Sequence, residues 1–93
     1  MIPDAIQADV GPLLSELQAS GLRVTDSRYD AKVFGNYYVY LIGARGWLRV
    51  TRDRGQYLIG GDDDHLGKLG LFRAFDDMIE FRKAVLAYAR QLT

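Results

Sequence analysis

Two short turn sequences, Ala44-Arg45-Gly46 and Asp53-Arg54-Gly55, sit one strand length apart and separate three runs rich in β-branched and aromatic residues, NYYVYLIG, WLRVTR and QYLIG. Each turn places glycine last, as a type I turn followed by a left-handed residue requires. Links this short join antiparallel neighbours, because a parallel pair needs a long crossover. A fourth run, LRVTDSRY, precedes the other three. The link from Tyr29 to Asn36 is longer, and Val33 and Phe34 either extend the second strand or fill a bend. The pattern therefore predicts a four-stranded antiparallel meander from about Leu22 to Gly60.

The segments on either side follow a different period. Ile2, Ile6, Val10, Leu13, Leu14 and Leu17 recur at spacings of three and four, which gathers them on one face of a helix. Pro12 interrupts that pattern, since proline removes a helical hydrogen bond and crowds the carbonyl four residues back. The expectation is either a kink at Gly11 and Pro12 or a short first turn followed by a second helix capped by Asp9. Gly21 then closes the helix. At the other end Phe75, Met78, Ile79, Phe81, Val85, Leu86, Tyr88, Ala89 and Leu92 mark a long helix, and Asp77 with Glu80 has capping-box spacing. Between sheet and helix, GGDDDHLGKLG has no period and many turn formers, which marks a loop.

The fold expected is thus α+β: an N-terminal helix, the meander, and a C-terminal helix packed on one face of the sheet. A chain of 93 residues buries roughly two thirds of its unfolded surface, enough for one core, so residues 1–93 form a single domain. If Val39 and Leu41 pair with Val50 and Leu48, one face is aliphatic and receives both helices. The opposite face then carries Tyr38, Tyr40 and Ile42 beside Trp47, Arg49 and Thr51, joined by Tyr57 if the Asp53 turn contains a bulge. Two helices cover only one face of four strands well, which leaves part of this aromatic face in water unless one helix covers each face.

Those residues have two readings. Tyrosine and tryptophan are good strand formers whose polar tips reach solvent unaided. They are also, with arginine, the residues enriched at interface hot spots, and on that reading Tyr38, Tyr40, Trp47, Arg49 and Tyr57 form a contact surface.

Composition narrows the chemistry. Without cysteine there is no disulfide, thiolate nucleophile or cysteine-based metal site. Twelve basic residues balance twelve acidic ones, which speaks against a dedicated nucleic-acid binder. Arg45, Arg49, Arg52 and Arg54 near stacking aromatics do form the kind of patch that sheet-faced RNA binders use, but no RNP-like octet accompanies them. No apolar run reaches membrane-spanning length and the opening residues are acidic where a signal peptide is basic, so the expectation is a cytoplasmic protein without a membrane segment.

Asp62, Asp63, Asp64 and His65 are the one stretch with the donor types of a metal site. Arg73 stands where the closing glutamate of a calcium loop would be, so the stretch reads as a solvated acidic loop and a partner contact, not a metal site. No serine lies in a Gly-x-Ser-x-Gly elbow, the carboxylates have no acid/base spacing, and Gly67-Lys68 is followed by Leu69 where a P-loop needs Ser or Thr. No catalytic residue and no cofactor is assigned.

The segment GWLRVTRDRGQYLIG, from Gly46 to Gly60, resembles a hairpin of small bacterial proteins. The helix, strands, helix build looks like that of the immunity proteins encoded beside bacterial toxins. The resemblance implies a bacterial, non-catalytic protein that binds and blocks a partner such as a cognate toxin, with Asp62, Asp63 and Asp64 meeting a basic surface. The other readings of the same aromatic face are a platform for a small ligand or single-stranded nucleic acid, and a homodimer contact.

Overall fold

A computed structural model describes residues 2–93. The chain forms helix α1 (Asp4–Ala19), strands β1 (Arg23–Asp30), β2 (Asn36–Gly43), β3 (Gly46–Asp53) and β4 (Gln56–Gly60), a short helix α2 (Asp63–Lys68) and helix α3 (Met78–Ala89). The four strands make one antiparallel sheet in sequence order. The register expected for the central pair holds: Val39 lies opposite Val50 and Leu41 opposite Leu48. These four side chains are fully buried, and with Ile59 they floor a single core that α1 closes with Ile6, Val10, Leu13, Leu14 and Leu17, and α3 with Phe81, Val85 and Tyr88. Both long helices thus share one face of the sheet.

Helix α1 runs as one element through Pro12 and is not restarted by Asp9. Pro12 and Ala8 both lie on the exposed side, so the carbonyl that Pro12 cannot serve is open to water. The apolar stripe, continuous on either side of Pro12, holds the helix to the sheet. Its C-terminus has the expected glycine: Gly21 has φ 111°, its N–H donates to Gln18 and that of Leu22 donates to Leu17, each at 3.1 Å. This reverse turn satisfies two carbonyls that the helix leaves open.

The region from Gly60 to Gly70 differs from the loop expected there. It contains α2, whose N-cap Asp62 accepts the His65 N–H at 3.0 Å. Leu66 anchors the helix by full burial. Six residues are too few for a period to show, so one cap and one buried leucine decide the conformation. Phe75, grouped by spacing with the last helix, lies outside it. Its backbone pairs with Tyr57 in both directions, at 2.7 and 2.8 Å, and covers the edge of β4. Helix α3 begins after N-cap Asp77, which accepts from Ile79 at 3.1 Å rather than from Glu80.

The opposite edge, β1, has no neighbouring strand. A bulge at Thr25 breaks its regularity between Val24 and Asp26, and the Ser27 N–H is taken by the Asp26 carboxylate at 2.9 Å. In the β1–β2 link, Val33 and Phe34 fill a bend, with Phe34 at φ 56° and 77% exposed.

Candidate interaction surface

Strand alternation puts Tyr38, Tyr40 and Ile42 on the sheet face away from the helices, opposite Thr51, Arg49 and Trp47 respectively, as the sequence predicts. Arg28 and Asp26 of β1 extend these rows beside Tyr38 and Tyr40. The rings form a chain: Tyr38 meets Tyr40 edge-on with centroids 5.3 Å apart, and Tyr40 meets Trp47 at 5.8 Å. Such edge and tilted contacts are the favoured aromatic geometries and hold the rings in place without a covering layer. Trp47 is 43% exposed and Ile42 41%, whereas Tyr38, Tyr40 and Arg49 are half-buried by their neighbours.

Arg49 is held against the middle ring of this chain. Its Nε donates to Thr51 Oγ1 at 3.0 Å, one Nη donates to Tyr40 Oη at 3.3 Å, and the guanidinium carbon lies 5.7 Å from the Tyr40 ring centre. Gly60 permits this placement, since a Cβ there would stand 2.9 Å from two guanidinium nitrogens. Every one of these neighbours is neutral. The ion pairs among the described residues are Arg52–Asp9 and Arg82–Glu16, so the charge of Arg49 has no protein counter-ion.

Tyr57 is a correction to the surface expected from sequence. The Asp53 turn has no bulge: Asp53 pairs with Gln56, and Arg54 and Gly55 form a two-residue turn with φ of 53° and 81°. Two successive positive φ values give the mirror-image type I′ turn, whose twist matches that of the strands. Tyr57 consequently falls opposite Arg52 on the helix side, 7% exposed and stacked 5.0 Å from Phe81.

There it joins a polar cluster that sequence reasoning did not assemble. The Asp9 carboxylate, in the middle of α1, accepts the Tyr37 hydroxyl at 2.5 Å, Arg52 at 3.1 Å and the Tyr57 hydroxyl at 3.0 Å. Burial, then the hydrogen bond to Asp9, pushes the Tyr37 hydroxyl far above its ordinary value and raises Tyr57 in the same way. The signal was present in the alternation: Tyr37 and Arg52 lie on the aliphatic rows of β2 and β3, where a polar group needs a partner. With its oxygens committed to three donors, Asp9 serves to tie helix to sheet.

The acidic stretch is folded into α2. Asp62 is its cap, Asp63 and Asp64 are exposed in its first turn, and the Asp62 N–H donates to the buried Tyr88 hydroxyl at 2.9 Å. His65 rests edge-on against the Tyr88 ring. Among the described residues no three His, Asp or Glu side chains gather as a metal site, and no helix is long and apolar enough to cross a membrane. Asp63 nevertheless comes close to the aromatic face. It lines a cleft of about 210 Å³ at the β4 edge together with Arg49, Leu58, Phe72 and Arg73.

Comparison of the chain with protein-family models, with curated proteins and with solved structures finds no match. What the surface does is therefore argued from its own chemistry.

Proposed function

We propose that this chain is a non-catalytic interaction domain that binds another protein through the open face of its sheet. The observation that carries the reading is the Tyr38–Tyr40–Trp47 chain with an arginine that has no counter-ion among the described residues held at its middle ring, on a face that neither long helix covers. Large rings and a guanidinium already held by neighbours lose little side-chain freedom on binding, which is why such residues dominate interface energetics. A single-stranded nucleic acid is the weaker occupant, because Asp26 lies beside Tyr40 and the formal net charge is zero. Immunity-type blocking of a toxin, with Asp62 to Asp64 at the rim of the contact, is one concrete form of the role.

Site-specific photocrosslinking in the native cell, followed by calorimetry on the identified partner, tests the proposal. A crosslinker in place of Trp47 captures a protein that one in place of the exposed Lys83 on α3 does not. The purified pair then loses affinity by about thirtyfold or more on Tyr40→Ala with Trp47→Ala. Capture from Lys83 alone, or an affinity unchanged by the double substitution, refutes it.

A further inference from the structure

The charge of Arg49 has consequences for what can sit on this face. Its guanidinium is fixed by Thr51, Tyr40 and the close approach of Gly60, yet its remaining N–H groups have no acceptor among the described residues. A second guanidinium, Arg73, also lines the β4 cleft and is held 3.8 Å above the Phe75 ring, donating to the Ala74 carbonyl at 3.3 Å. Asp63 lines the same cleft, so the lining carries two cations and one anion. Its apolar wall is Leu58 with Phe72, which is 64% exposed.

Resting on the protein-binding reading above, we infer that the partner places an aspartate or glutamate carboxylate against Arg49, with an apolar side chain beside it on Phe72 and Leu58. A carboxylate matches the planar donor set of arginine, and the guanidinium is already held in place by Thr51 and Tyr40. The excess of one positive charge suits a single carboxylate. A polyanion would also have to pass Asp63 and Asp26.

Selection of a random peptide library displayed on phage against the whole protein tests this. Peptides taken by the wild type share an acidic residue next to an apolar one. By fluorescence polarisation the consensus peptide loses affinity about tenfold or more with Arg49→Gln, and equally when its own acid is changed to the amide. Arg49→Glu takes up the lysine version of the peptide; should Arg49→Glu fail to fold, the neutral, polar Arg49→Gln decides. Peptides that need Tyr40 and Trp47 but carry no acid, and bind Arg49→Gln as well as wild type, overturn the carboxylate and leave the protein-binding reading standing. Absence of any peptide that depends on Tyr40 or Trp47 overturns both. Oligothymidylate that quenches Trp47 fluorescence, and does so less with Arg49→Gln, overturns both in favour of nucleic acid.

Discussion

The Asp9 carboxylate, midway along α1, accepts the Tyr37 hydroxyl of β2 at 2.5 Å, while Arg52 and Tyr57 from the next two strands close on the same carboxylate. One side chain of the helix thereby fixes its position against three adjacent strands. The arrangement holds the helical layer on the core side of the sheet, and with it the exposure of the aromatic side.

Replacing Asp9 leaves three donors without their shared acceptor. Asp9→Ala is expected to lower stability by about 2–3 kcal/mol, since the buried Tyr37 and Tyr57 lose the acceptor of their hydroxyls, which costs more than the bonds themselves contributed, while the half-exposed Arg52 adds little. Asp9→Asn retains an acceptor and loses about half as much. Urea denaturation of the three proteins checks the order.

The tyrosines of this cluster give stability a pH dependence at the alkaline end. Their folded-state pKa values lie above the ordinary 10.0, by burial first and the bond to Asp9 second. A raised value means that the folded chain holds its proton more tightly than the unfolded one. The contribution is complete below pH 10 and is lost as pH rises above it. The urea midpoint should therefore fall above pH 10, and less steeply in Tyr37→Phe. Equal slopes in the two proteins would count against it.

Two glycines make opposite predictions. A Cβ at Gly61 would meet ring carbons of the buried Tyr88 at 2.7 and 2.8 Å, whereas one at Gly67, inside α2, meets nothing within 4 Å. Gly61→Ala should cost about 1–3 kcal/mol through overpacking. Gly67→Ala should add about 0.5–1 kcal/mol by favouring the helix. Thermal unfolding should move the two midpoints in opposite directions.

Arg54 has φ 53° in the turn between β3 and β4, a conformation that asparagine tolerates better than arginine. Arg54→Asn is expected to stabilise by about 0.5–1 kcal/mol through the Asn-Gly pair it creates in a type I′ turn. A guanidinium chloride midpoint that does not rise would contradict the turn assignment.

Trp47 is the sole tryptophan, so its fluorescence reports on the proposed surface without a label. At 43% exposure it should be quenched readily by acrylamide in the free protein. Binding of the crosslinked partner should shield it and shift its emission to the blue. Quenching unchanged by the partner would place the contact elsewhere.

Much of the architecture was legible because it rests on period. Val39 and Leu41 alternate with Tyr38 and Tyr40, so one choice of register fixed both faces, and the partners of all four on β3 were as expected. The misses are decisions made by single residues or by contacts distant in sequence. Tyr57 changed faces on the geometry of two turn residues, Arg54 and Gly55. Helix α2 depends on one cap and Leu66, and Phe75 follows Tyr57 rather than the helical spacing it shares with α3. Asp9 meets Arg52 across 43 residues, a distance at which local pattern carries no information. Of the surface, Tyr38, Tyr40, Trp47 and Arg49 were found by alternation, while Phe72 and Arg73 came from a segment without period.

The small bond between Asp26 and the Ser27 N–H bears on how this protein can choose its company. Backbone pairing along a bare strand accepts almost any sequence, and is the usual route to indiscriminate sticking. With that donor occupied and the strand bent at Thr25, such pairing is discouraged. If the broad face is the contact proposed above, recognition there falls to side chains, each of which can change one at a time without changing the fold. On the proposed reading the border of the sheet is a poor template for added strands, and the choice of associate rests with a handful of replaceable side chains.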